Sequence, residues 1–87
     1  MYYQKTEKLL DSAENNIKKI FFQVFPDLDE SQFNWTKKQN EYENWDSFSH
    51  LHLITMIEEN FKITITDDDA INLHSAKDLL DFVERNR

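Results

Sequence analysis

Asp46, Ser47 and His50 bring a carboxylate, a hydroxyl and an imidazole within five positions of an 87-residue chain. These are the residue types of a hydrolytic triad, and a spacing of three places Ser47 and His50 as neighbours on one face of a helix. A nucleophilic serine also needs a base oriented by a third group and an oxyanion hole, usually set up by a sharp turn containing glycine. The chain contains no glycine, which argues against catalysis here. His50 and His52, two apart on a helix, point away from each other and do not form a metal pair; both are expected to face solvent. Asp67, Asp68 and Asp69 lack the glycine and the distal glutamate of a calcium loop and are better read as helix-start acids. Without cysteine there is no disulfide, no catalytic thiolate and no zinc framework, so any thiol chemistry must be imported. Taken by itself, Ser47 reads as an ordinary capping or first-turn serine before an apolar helix.

The element that must hold this serine is legible in the spacing. Phe48, Leu51, Ile54, Ile57 and Phe61 recur in steps of three, three, three and four, which predicts a helix with one buried stripe. Asp46 or Ser47 falls at the N-cap, where a side-chain oxygen accepts from the unpaired N–H groups of the first turn. In either case the Ser47 hydroxyl lies near the positive end of the helix dipole. A phosphate attached to it would be stabilised there.

The stretch "DSF" and its helix, then "EENFKITI", "TDDDA" opening a short helix and "SAKDLLDFV" forming the last one, together resemble the acyl carrier protein family, from about Ile17 to the C-terminus. The resemblance implies that Ser47 carries 4'-phosphopantetheine through a phosphodiester, with Asp46 as the preceding acid, and that the thiol of the arm holds an acyl group as a thioester. It further implies a carrier acting as a cosubstrate, with a phosphopantetheinyl transferase and acyl-loading and acyl-processing enzymes with basic docking surfaces as partners. Two departures stand out. The family commonly has a glycine shortly before the Asp-Ser pair, where this chain has Asn44 and Trp45. Fatty-acid carriers present acids early in the helix after the serine, where this chain has Ser49, His50 and His52, with Glu58 and Glu59 about two turns later. These substitutions suggest a specialised carrier whose partners contact Trp45, Phe48 and the later acids. An aminoacyl or peptidyl carrier, or a helical interaction module in which Ser47 only caps, are the alternatives.

Length and charge fit a surface function. A chain of this size forms one domain, residues 1–87, and buries only ~60% of the surface its unfolded form exposes, so a deep cleft is hard to build. Residues 1–40 hold six lysines and six acids; residues 41–87 hold four basic residues and eleven acids, which supply the whole net charge of −7. Such a field repels nucleic acid and favours basic protein surfaces. No apolar run approaches the ~20 residues of a membrane span, and no signal-like segment opens the chain. A monomeric, cytoplasmic protein is expected.

Around the motif, Leu9, Leu10, Ala13, Ile17, Ile20, Phe21 and Val24 predict a long amphipathic helix from about Thr6 to Phe25, ended by Pro26. The connection from Asp27 to Asn44 is long and rich in aromatics, and Phe33 and Tyr42 are expected to pin it to the helices. "KITIT" is read as an extended link that inserts Ile63 and Ile65. A short helix from Asp67 to Leu73 follows, then a last helix capped by Ser75 with Ala76, Leu79, Leu80 and Val83 inside. The fold class is therefore all-α, a small four-helix bundle of three long helices and one short third helix, with a long loop between the first two. Leu53 and Met56, beyond the main stripe of the second helix, are candidates for the entrance of a hydrocarbon cargo.

Overall fold

The computed structural model describes residues 12–86. Its order is α1 (Ala13–Val24), a long loop, α2 (Ser47–Phe61), α3 (Asp67–Ile71) and α4 (Ala76–Asn86). α1 starts behind Ser12, whose Oγ accepts from the Asn15 N–H at 3.2 Å. This helix begins at Ala13; the expected start at Thr6, with Leu9 and Leu10, falls on residues 6–11, outside the described residues. α1 packs against both α2 and α4. At the centre, Ile17 and Phe21 of α1, Leu53 and Ile57 of α2, and Leu79 and Val83 of α4 are all withdrawn from solvent. Burial of these six side chains, at roughly 1.5–3 kcal/mol each, is the main force assembling the bundle.

The long loop is ordered by its aromatics. Phe33 meets Phe21 edge-on at 5.1 Å between ring centroids, and Tyr42 lies 5.6 Å from Phe21. The Tyr42 hydroxyl accepts from the Asn34 N–H at 3.1 Å and donates to the Asn34 carbonyl at 3.2 Å, closing the loop upon itself. Burial pushes the Tyr42 phenol above its ordinary value, helped by the nearby Glu41 carboxylate and opposed by the bond to Asn34. Two single turns of 3₁₀-helix, Glu30–Gln32 and Gln39–Glu41, take up backbone bonds that an irregular segment would leave open. The middle of the loop is tied to the start of α4 by Gln39 N–H to the His74 carbonyl at 2.7 Å and by Lys77 N–H to the Trp35 carbonyl at 2.9 Å.

α2 ends at Lys62, which adopts the left-handed conformation (φ 57°, ψ 46°) that glycine usually supplies. Ile65 is buried and Ile63 half-buried in the link that follows, and the Ile65 N–H is held by Glu58 Oε2 at 2.8 Å. Thr66 and Asp69 cap α3 reciprocally, through Asp69 N–H to Thr66 Oγ1 (3.1 Å) and Thr66 N–H to Asp69 Oδ2 (3.3 Å). α3 stops at Ile71, two residues short of the expected end, and Leu73 enters the core from the turn beyond it. At α4, Ser75 Oγ accepts from the Asp78 N–H, but the Asp78 carboxylate reaches back to the His74 N–H, one residue earlier than a capping box would have it. The buried face of α4 is Ala76, Leu79, Phe82 and Val83; Phe82 takes the place expected of Leu80, which is only partly buried.

A capped serine at the mouth of α2

The N-cap of α2 is Asp46. Its Oδ1 accepts from the Ser49 N–H at 2.9 Å, while its carbonyl accepts from the His50 N–H at 2.9 Å. The Ser49 backbone N–H, and after it the Ser49 hydroxyl, hold the Asp46 carboxyl below the usual carboxylate range. Because Asp46 does the capping, Ser47 is left with an exposed side chain as the first residue of α2, and its hydroxyl makes no hydrogen bond among the described residues. Asp46 and Ser47 thus divide two tasks: one closes the helix and the other stays available.

His50 is not solvent-facing. The Trp45 Nε1–H donates to His50 Nδ1 at 3.0 Å, and His50 Nε2 lies 2.9 Å from the Ala70 carbonyl oxygen. A carbonyl can only accept, so Nε2 carries the proton and Nδ1 the lone pair. The ring bridges the loop before α2, the first turn of α2 and the end of α3. Both of its nitrogens are engaged, so it has none to offer Ser47 as a base, and the triad fails on geometry as well as on the absence of glycine. Trp45 is buried too, edge-on to Phe21 (5.3 Å) and tilted against Tyr42 (5.6 Å) and Phe25 (6.0 Å), with its carbonyl accepting from Gln39 Nε2. It is part of the core and cannot serve as the partner contact expected of it.

The expected stripe of α2 is displaced as well. Phe48 is 80% and Leu51 63% exposed, while Leu53, Ile54 and Ile57 are buried. The reason is rotation: each step of three residues falls short of a full turn of ~3.6, so a series of such steps walks around the helix. Leu53, expected at a cargo entrance, is fully buried core, and Met56 is half-buried against it. Glu58, expected among the docking acids, is half-buried and spends its carboxylate on Ile65. His50 is the residue whose role the sequence left unseen, although it falls on the true stripe of positions 50, 54, 57 and 61.

Among the described residues no group of three His, Asp or Glu side chains is arranged to hold a metal ion, and no helix is long and apolar enough to cross a membrane. The small helical bundle thus presents an unengaged serine at a capped helix mouth, with the neighbouring imidazole bound elsewhere. No protein-family model matches the chain. The acyl carrier protein of Buchnera aphidicola subsp. Baizongia pistaciae (strain Bp) is 32% identical over 76 residues, which cover 87% of this chain and 96% of that protein. The chain belongs to the acyl carrier protein family. Membership supports a carrier role over a catalytic one and implies a phosphopantetheine prosthetic group and interaction with biosynthetic enzymes.

Proposed function

We propose that this protein carries an acyl group as a thioester on a 4'-phosphopantetheine arm esterified to Ser47. The observation that carries the proposal is the division of labour at the mouth of α2, where Asp46 caps and Ser47 is exposed and unengaged. The residues fit the group: the hydroxyl is accessible to a transferase, and the helix N-terminus favours the negative charge of a phosphodiester beside it. When bound, the arm supplies the thiol that the chain lacks. Transfer from coenzyme A joins Ser47 Oγ to the phosphorus of the arm, releases the nucleotide half as leaving group and loses the hydroxyl proton. Ser47 orients the arm's root, and the rest of the domain acts as a handle for partners: the transferase, then acyl-loading and acyl-processing enzymes whose basic surfaces the acidic half attracts.

The absence of acids early in α2 favours a carrier dedicated to a specialised pathway. The cargo proposed is a fatty acyl or related hydrocarbon chain, and the protein acts as a cytoplasmic monomer. Incubation with a phosphopantetheinyl transferase and coenzyme A should add the mass of one arm to wild type and to Ser49→Ala, and none to Ser47→Ala. Addition that persists in Ser47→Ala overturns the assignment.

A further inference from the structure

A cleft of about 280 Å³ opens where the middle of the long loop meets the turn between α3 and α4, lined by Lys38, Gln39, Asn40, Trp45 and His74. Hydrogen bonds hold its walls together: the Gln39 N–H donates to the His74 carbonyl at 2.7 Å, and Gln39 Nε2 donates to the Trp45 carbonyl at 3.2 Å. Lys38, Asn40 and His74 are exposed, and their side chains make no hydrogen bond or ion pair among the described residues. Although the chain carries a net charge of −7, no carboxylate lines this cleft. Glu41, the acid nearest to Lys38 in the sequence, spends Oε1 on the Lys38 N–H at 2.8 Å. A larger cleft of about 520 Å³ under the same loop differs: Asp27, Glu41 and Glu43 line it, and the Lys37 ammonium there is held 4.4 Å from the centre of the Tyr42 ring. That cleft repels anions, whereas the smaller one offers them an unpaired cation.

From this placement, and resting on the reading of Ser47 above, we propose that the cleft lined by Lys38, Trp45 and His74 is the resting site of the phosphopantetheine arm, which folds back from Ser47 onto the loop when no partner holds it. Trp45 precedes Ser47 by two residues, at most about 7 Å of extended chain, so the root of the arm lies within reach of the cleft. The lining matches the arm group by group. Its phosphodiester is an anion that the free Lys38 ammonium can pair with. Its amides and hydroxyl need donors and acceptors, which the unengaged Asn40 and His74 side chains supply. Its paired methyl groups are apolar and find the Trp45 wall. Exposed contacts of this kind are individually weak, so the arm is held by their sum and released when a partner takes up its thiol end.

The test is NMR of the full chain before and after arm transfer from coenzyme A. Addition of the arm should shift the backbone amides of Gln39, Asn40 and His74 as well as those beside Ser47, and the methyl groups of the arm should show nuclear Overhauser contacts to the Trp45 or His74 ring. Lys38→Glu and the double variant Asn40→Ala/His74→Ala should each reduce the Gln39 shift by more than about half, and Lys38→Arg should keep it. Spectra of the variants without the arm should show the wild-type fold, because the substituted side chains are exposed. Shifts confined to residues 45–50, methyl contacts to Leu51 or Ile71 in place of Trp45 and His74, or a Gln39 shift that survives in Lys38→Glu and in the double variant each overturn the resting site. If wild type accepts no arm at all, the reading of Ser47 has failed instead.

Discussion

Phe48 and Ile57 share one helix and face opposite ways: nine residues, about two and a half turns, separate them, leaving Phe48 80% exposed and Ile57 fully buried. One is available to partners while the other helps hold the domain together. Ile57→Ala should therefore cost about 2–5 kcal/mol of unfolding free energy, whereas Phe48→Ala should stay within about 0.5 kcal/mol of wild type. Urea denaturation of both variants checks this, and equal losses would contradict the assigned faces.

His50 joins Trp45 to Ala70 across the start of α2, so its removal strands a buried indole N–H and a carbonyl. His50→Ala should destabilise by about 1–3 kcal/mol. A double-mutant cycle with Trp45→Phe should return a coupling of about 0.5 kcal/mol or more, as expected for partners in one network. Nitrogen NMR should find the His50 proton on Nε2. A proton resident on Nδ1, or additive losses, would count against the bridge.

Asp46 ties the stability of α2 to pH. Its carboxyl is depressed in the folded state by the Ser49 N–H and hydroxyl, so its contribution is complete above the unfolded carboxylate value of about 4. It is lost as pH falls through the depressed folded value. Asn keeps a capping oxygen without titrating, so the difference in Tm between wild type and Asp46→Asn should be flat above about pH 4 and narrow below it. A difference that changes near neutral pH would require another titrating group.

Lys62 adopts a left-handed backbone conformation at the end of α2 in a chain without glycine. Such a conformation costs a residue with a Cβ about 1–2 kcal/mol, of which glycine's greater freedom in the unfolded chain takes back part. Lys62→Gly should raise stability by up to about 1 kcal/mol by chemical denaturation. A loss would mean that the Lys62 side chain contributes more than its backbone costs.

The helices, their order and the role of the aromatic loop were legible in the sequence because caps and apolar periodicity act locally. Ser75 caps the last helix and Phe33 and Tyr42 pack as their positions suggest, whereas Ser12 and Thr66 emerge as caps only in the structure. The face of α2 was not. Counting apolar residues in threes admitted Phe48 and Leu51 to the stripe and left out His50, because a solvent-exposed apolar residue and a core-facing polar one both invert the usual pattern. The Trp45 to His50 bond joins the loop to a helix, and its continuation to Ala70 spans twenty residues, beyond the reach of any periodicity. Which of Asp46 and Ser47 caps α2 was left open by the sequence, and the geometry decides for Asp46.

The central claim is most directly tested by tandem mass spectrometry of the protein purified from its native host. The account predicts 4'-phosphopantetheine on the peptide containing Ser47, bearing an acyl group that hydroxylamine releases as expected of a thioester. Protein recovered with Ser47 unmodified, or with the arm on another residue, would contradict it.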